Sequence, residues 1–315
     1  MKKFFYCLCC ILFFILSSCG KNTNKKIIDR VGQSIIVPTK IERIITAAPS
    51  NTEIIVALGL ACKLVAVDRF SFDIEGIPDV PYIDFSAHDG EEIVNLNPDI
   101  IIASGTNQKG QANDPFRLIR ETGITVVYVP MSSSIQGIYD DIAFIADLLD
   151  VPEMGNEIID QTKETIHYYK MISEKITPKK RIYFEISPAP SVVSLGSQTH
   201  LNEMIEIIGG ENIFAAEKGI VYPNAEIIIT ANPDVIITNV NYSGNQYVAD
   251  PIAEIKTRDG FDIIDAVKNN QIFYVDTNSV SRPTHNIVKA VKIMAEVVYP
   301  EYYTTNNQTA EYNTR

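Results

Sequence analysis

The sequence predicts an α/β protein of two parallel-sheet lobes joined by a long helical connector. Three observations predict it. The strand-like runs are continuous and β-branched, as in "RIITA" (Arg43 to Ala47), "KLVAV" (Lys63 to Val67), "DIIIA" (Asp99 to Ala103) and "TVVYV" (Thr125 to Val129). Strands buried on both faces read this way. Helical stretches separate the runs. The whole series then happens a second time, with "RIYFEI", "SVVSL", "DVIIT" and "QIFYV" from Arg181 onward, so two similar lobes follow. At 315 residues the chain suits about two domains.

Taken in order, the N-terminus reads as an export leader. Lys2 and Lys3 precede an uncharged apolar run of 13 residues from Phe4 to Leu16. That is shorter than the roughly 20 residues a membrane-spanning helix needs, and it fits a signal peptide. "LSSC", Leu16 to Cys19, resembles the bacterial lipobox, which implies cleavage after residue 18 and a diacylglycerol on the Cys19 thiol. The segment 19–38 is expected to be anchor and flexible tether. Loss of Lys2 and Lys3 takes the formal charge from −12 to −14. Cys7, Cys9 and Cys10 leave with the leader and Cys19 carries lipid, so Cys62 remains alone, without a disulfide or a paired-Cys zinc motif. Its setting, "GLACKLVAV", predicts a buried small apolar residue.

Lobe one spans 39–134. "SNTEIIVALG" places Glu53 three residues after Ser50, the spacing of a capping box, and Gly59 closes the helix. Glu53 is therefore expected to cap. The connector, 135–175, carries Ile138, Ile142, Ile145 and Leu149 on one stripe, then breaks at Asp150–Pro152 before a second helix. A strut of about 35 Å follows from 1.5 Å per residue. It predicts limited lobe motion. Lobe two spans 176–282, with "THLNEMIEIIGG" as a helix capped by Thr199 and ended by Gly209 and Gly210. An amphipathic helix is expected over 283–299, and a disordered tail over 300–315.

Several chemistries are excluded. An acidic chain lacks the basic face a nucleic acid wants. "GTNQKGQ" has P-loop glycine spacing but Gln111 where Lys is required, and neither a nucleophile elbow nor His-Glu-x-x-His occurs. No enzyme function, cofactor or metal site is assigned. Three of the four His (His88, His200 and His285) fall in loops or at helix starts. They suit either direct metal binding or an ordinary polar surface; His167 lies in the connector as a solvated residue.

Ligands bind outside the carboxyl ends of parallel strands. Those loops hold Arg69, Phe70, Phe85, His88, Tyr242, Arg282 and His285, which are the candidate ligand contacts in a cleft between the lobes. Phe70 and Phe85 read equally well as core, and Arg282 as a partner of the C-terminal helix region. An Arg in a cleft grips carboxylates or phosphates bidentately. One phrase is also doubled. "EEIVNLNPDIIIA" and "AEIIITANPDVIIT" both place a Glu, Glu91 and Glu226, then six residues, then Pro-Asp, and the two Glu lie 135 positions apart.

"ERIITAAPSNTEIIVALGLACKLVAVD", "NLNPDIIIA", "MIEIIGGENIF", "DAVKNNQIFYVD" and "SRPTHNIVKAVKIMAEVVYPE" resemble, in order and over Asp29 to Glu301, the solute-binding lipoproteins of ABC importers for iron–siderophore complexes, haem and cobalamin. The resemblance implies two Rossmann-like lobes, a ligand cleft between them, and delivery to a permease dimer with its ATPase. It implies a monomer tethered to the membrane, on the outer side of the cytoplasmic membrane or in a periplasm. It also implies that Glu91 and Glu226 meet Arg residues on two permease subunits. A helix dipole alone also favours Glu in a first turn, by about 0.3–1 kcal/mol. Against cobalamin-binding members, the aromatic cleft positions map onto Phe70 and Phe85, and Trp is absent from the chain. That shifts weight to a ferric siderophore or haem, with cobalamin and a direct transition-metal ion as alternatives. A two-lobed cluster enzyme of the nitrogenase kind is the contrasting class; it would be cytosolic and keep several ligand Cys.

Overall fold

A computed structural model describes residues 25–85, 90–104, 114–240, 242–243, 246–247, 250–275 and 277–304. The leader, Cys19, the P-loop-like segment from Gly105, and residues 305–315 lie outside the described residues.

The chain opens with an antiparallel hairpin of β1 (Lys25–Ile28) and β2 (Ser34–Val37). The expected tether over 19–38 is thus corrected from Lys25 onward: Ile27, Ile35 and Val37 pack on the lobe-one core. Then come β3 (Ile44–Thr46), α1 (Pro49–Ala57), β4 (Leu64–Asp68), β5 (Tyr82–Ile83), α2 (Gly90–Asn95), β6 (Ile100–Ser104), α3 (Arg117–Glu121) and β7 (Thr125–Val129). The strands form one parallel sheet in the order β5-β4-β3-β6-β7. Every residue of β6 is buried, which is why its sequence shows no alternation.

The connector is α4 (Ile135–Leu148) and α5 (Pro152–Ser173). Asp150, at φ 58°, turns the chain between them. The 22 residues of α5 reach about 33 Å. The two helices approach closely at Gly155, where a Cβ would come within 2.4 Å of the Ala146 Cβ.

Lobe two contains β8 (Arg181–Glu185), β9 (Ser194–Leu195), α6 (His200–Ile207), β10 (Glu211–Asn212), β11 (Ile220–Val221), α7 (Ala225–Ala231), β12 (Val235–Thr238), β13 (Tyr242–Ser243), β14 (Gln246–Tyr247), α8 (Pro251–Lys256), α9 (Asp265–Lys268) and β15 (Ile272–Tyr274). Its parallel sheet runs β10-β8-β12-β15. "SVVSL" does not join it. That segment supplies β9, which pairs antiparallel with β11, and the two-residue β10 takes the edge. Thr199 caps α6 as expected, its side chain accepting from Asn202 N, and Gly209 follows at φ 88°. The chain ends in α10 (Thr277–Ser281), α11 (Ile287–Val298) and α12 (Pro300–Tyr303). The start of the expected disordered tail is therefore ordered. Tyr303 is buried, and its hydroxyl donates to the carbonyl of Ile208 at 3.1 Å.

One hydrophobic core covers a face of both sheets and is continuous through α4, α5 and α11. The outer faces have separate cores, one per lobe. The junction gains a polar bond where the Glu203 carboxylate of α6 accepts from the first N–H of α4 at 2.7 Å. Cys62 is exposed, contrary to expectation. The turn Ala61–Lys63 contributes none of its side chains to the core.

Candidate functional site

The lip of lobe one is built where β4 ends. Asp68 accepts from Phe70 N at 2.8 Å and folds residues 69–71 into a tight turn. Burial is the main reason the Asp68 carboxyl lies above its usual range, against the pull of that amide and of Arg69. The Arg69 guanidinium lies 4.5 Å from the Phe70 ring centre and pairs with Asp84 at 2.5 Å. Phe70 is 53% exposed and Phe72 73%. The turn thus presents a cation stacked on an aromatic ring, and the exposed Phe72 follows it directly in the chain. Such a ledge suits a flat, conjugated or anionic ligand.

Arg282 faces this turn from lobe two. Its guanidinium donates to Asp73 at 2.7 and 3.1 Å, to Glu53 at 3.1 Å, and to the Phe70 carbonyl at 2.8 Å. Burial alone would lower its pKa; the two carboxylates outweigh that and raise it. Glu53 also accepts from Thr284 Oγ1 at 2.5 Å and Asn286 Nδ2 at 2.9 Å, and Asn278 donates to Asp73 at 2.5 Å. The expected cap role of Glu53 is corrected. Helix α1 starts at Pro49 with Ala48 before it and no side-chain cap, and the carboxylate reaches across the lobes instead. Arg282 is a tie between the lobes that also fixes the Phe70 turn.

A cavity of about 430 Å³ opens beside the tie, lined by Glu53, Asp73, Glu75, Arg282, His285 and Lys289 among others. His285 Nδ1 is buried with no partner among the described residues. Burial chiefly, and Lys289, hold its imidazole below the ordinary range despite Glu53. His200 is lowered by burial too, and its Nε2 donates to the Val280 carbonyl at 3.1 Å. The other candidates fall elsewhere. Phe85 is 4% exposed and packs on Phe116 at 5.5 Å in the outer core of lobe one; of its two readings, the structure places the ring in the core. His88 and the side chain of Tyr242 lie outside the described residues.

Glu91 and Glu226 both sit exposed in the first turns of α2 and α7. The Pro-Asp that follows each does the same structural work in both lobes. Asn97 and Asn232 take left-handed φ of 46° and 42° and end the helices. Asp99 Oδ2 then accepts from Arg43 N at 2.9 Å, and Asp234 Oδ2 from Arg181 N at 2.7 Å. In return the amides of Asp99 and Asp234 each donate to the carbonyl of the same Arg at 2.9 Å. The doubled phrase is in part a strand clamp.

A periplasmic binding protein profile matches residues 44–278. The chain belongs to the periplasmic binding protein family. This periplasmic binding protein is 26% identical over 308 residues to an uncharacterized ABC transporter substrate-binding lipoprotein of Bacillus subtilis, covering 92% of this chain and 94% of that one. It is 26% identical over 261 residues to a vitamin B12-binding protein of Vibrio vulnificus, covering 81% and 89%. Among solved structures, a possible iron-binding periplasmic solute-binding protein of Staphylococcus epidermidis matches at TM-score 0.72 and 32% identity, covering 83% of this chain and all (100%) of that one. The haem-binding RhuT of Roseiflexus, at TM-score 0.71 and 21% identity over 83% and 99% of the two chains, shares the fold.

Sequence reasoning missed Glu53, Asp73, Thr284 and Asn286 as cross-lobe contacts. One signal was available: Ser50 to Glu53 are four consecutive polar residues at the start of a helix whose remainder is apolar, and the last three of them are buried. Buried polar groups require partners.

Proposed function

We propose that this periplasmic binding protein is the extracytoplasmic substrate-binding lipoprotein of an ABC importer. It captures an iron complex, a ferric siderophore or haem, and hands it to a permease dimer powered by its ATPase. The observation that carries the reading is the exposed Arg69–Phe70 ledge at the strand ends of lobe one. A cation on a ring face, with the exposed Phe72 following in the chain, matches an anionic chelate with an aromatic or conjugated body. The iron-binding and haem-binding neighbours agree with it. Cobalamin is the second reading, favoured by the vitamin B12-binding relatives. Lipid on Cys19 is supported by "LSSC" after a short apolar leader and by the Bacillus subtilis lipoprotein.

The test is calorimetry of the lipidated protein in detergent against ferric catecholate, hydroxamate and carboxylate siderophores, haem, cobalamin, and free zinc, manganese and iron. One-to-one saturation by an iron chelate is expected. Saturation by cobalamin alone, or by a free ion alone, overturns the iron-complex reading. In the same cells, Cys19→Ser should leave the membrane fraction unlipidated by mass spectrometry; unchanged membrane retention by an uncleaved leader refutes the lipoprotein assignment.

A further inference from the structure

The N-terminal hairpin has an inner and an outer face. Lys26 pairs with Ile36 and Ile28 with Ser34. Side chains alternate along a strand, so Lys26, Ile28, Ser34 and Ile36 share one face. The opposite face sends Ile27, Ile35 and Val37 to the core. On the outer face Ile28 is 61% exposed and Ile36 59%. They are diagonal neighbours across the ladder, within reach of one another, and form a small apolar patch.

The patch is held firmly. Asp29 Oδ1 closes the turn by accepting from Val31 N at 3.1 Å and Gln33 N at 2.7 Å. Its other oxygen accepts from Tyr128 N of β7 at 3.2 Å. Arg30 Nε donates to Asp141 of α4 at 2.6 Å, and Thr125 Oγ1 to the Ile36 carbonyl at 3.0 Å. The hairpin is riveted to lobe one, and its exposed isoleucines are a fixed display.

Charge and chain length point the same way. The protein carries −12 overall, yet the stretch from Cys19 to Ile28 holds Lys21, Lys25 and Lys26 and no acid. Lys25 and Lys26 are exposed and make no ion pair among the described residues. Five residues separate Cys19 from Lys25. Fully extended, such a link spans at most about 20 Å. A lipid on Cys19 would therefore hold the start of the hairpin within about 20 Å of the bilayer.

We infer that the outer face of the hairpin, Ile28 and Ile36 with Lys26 on the same face and the exposed Lys25 at the start of the strand, seats on an anionic lipid surface next to the anchor. The inference rests on lipidation at Cys19. The acyl chains hold the protein; the hairpin sets which side of lobe one faces the membrane. Lysines near an anionic surface add attraction that falls off within a Debye length, and the isoleucines reach the headgroup boundary.

The test uses the full lipidated protein in nanodiscs of phosphatidylglycerol or of phosphatidylcholine. Cys62→Ser removes the exposed thiol, and a nitroxide is placed by Ile36→Cys or, as a reference on α5, by Glu164→Cys. Collision with a water-soluble nickel complex reads exposure. At position 36, collisions should be at least about fivefold rarer than at position 164 in phosphatidylglycerol discs. Lys25→Glu with Lys26→Glu should restore them, and phosphatidylcholine should give weaker protection. Equal collisions at the two positions in phosphatidylglycerol discs overturn the inference, as does protection that depends on protein concentration without lipid, which would mean a second copy. Mass spectrometry of the same samples separates the failures: absent acyl chains sink the lipoprotein reading, while intact acyl chains with an exposed position 36 sink only the seating.

Discussion

Replacing Glu53 by Ala should loosen the lobes from each other. The carboxylate is 8% exposed and accepts from Arg282, Thr284 and Asn286 at 3.1, 2.5 and 2.9 Å. Breaking a buried ion pair costs about 3–5 kcal/mol because the abandoned charge stays desolvated. Here Arg282 keeps Asp73 and the Phe70 carbonyl, which sets the lower end, about 3 kcal/mol. At about 2–4 °C per kcal/mol for a chain of this order, the Tm should fall roughly 6–12 °C. Glu53→Gln keeps an acceptor for Arg282 and should lose about half as much. The assay is differential scanning calorimetry with small-angle scattering at 25 °C on the wild type and both variants. Glu226→Gln, at an exposed position outside the hydrophobic cores, is the control and should stay within about 0.5 kcal/mol. A Tm loss below about 2 °C for a well-folded Glu53→Ala would show that the shared core, and not this tie, joins the lobes.

Arg69→Ala should weaken the iron chelate roughly tenfold to a hundredfold by calorimetry, the loss of one charge-assisted bond of about 1.5–3 kcal/mol; an unchanged Kd removes Arg69 from the site. Glu91→Lys with Glu226→Lys should abolish uptake of the radiolabelled chelate while Kd and Tm hold, and normal uptake would make both Glu residues fold devices only. Asp99→Ala, which strips the acceptor from Glu42 N and Arg43 N, should cost about 1–2 kcal/mol in thermal unfolding and leave Kd alone. Burial lowers the pKa of His200 and His285 below 6.5, so the unfolded chain takes up these protons first. Stability from this source is complete above about pH 7 and lost as pH falls from 6.5 toward the folded values. His200→Gln with His285→Gln should flatten that loss in urea melts, and an unaltered slope refutes it.

The parts of this fold written locally are the parts the sequence shows. "DIIIA" reads as a central strand because both its faces are covered, and Thr199 reads as a cap because its bond to Asn202 spans three residues. Glu53 misleads for the converse reason. Ser-x-x-Glu is a local pattern, but the partner that claims this carboxylate lies 229 residues away. β10 has only two residues, Glu211 and Asn212, too few for any periodicity, so the apolar "SVVSL" looks the better strand. The hairpin hides because its first strand begins inside the polar "GKNTNKK", whose last two residues are Lys25 and Lys26. At the site, Arg69 and Phe70 are legible from their place after β4, whereas Phe85, two residues past the short β5, turns inward to Phe116. No pattern in "YIDFSAH" distinguishes an inward ring from an outward one.

The core that runs unbroken beneath both sheets bears on how a permease tells a loaded receptor from an empty one. Lobes on a free hinge would report occupancy by their angle. Here α4, α5 and α11 share one packed interior with both lobes; on the docking role that the resemblance implies for Glu91 and Glu226, this joint should hold their separation nearly constant with or without cargo. Empty receptor then competes with loaded receptor for the same transporter on almost equal terms. Uptake should pass through a maximum as receptor abundance rises beyond the supply of cargo, and the cell's best ratio of receptor to permease is set by the stiffness of this joint.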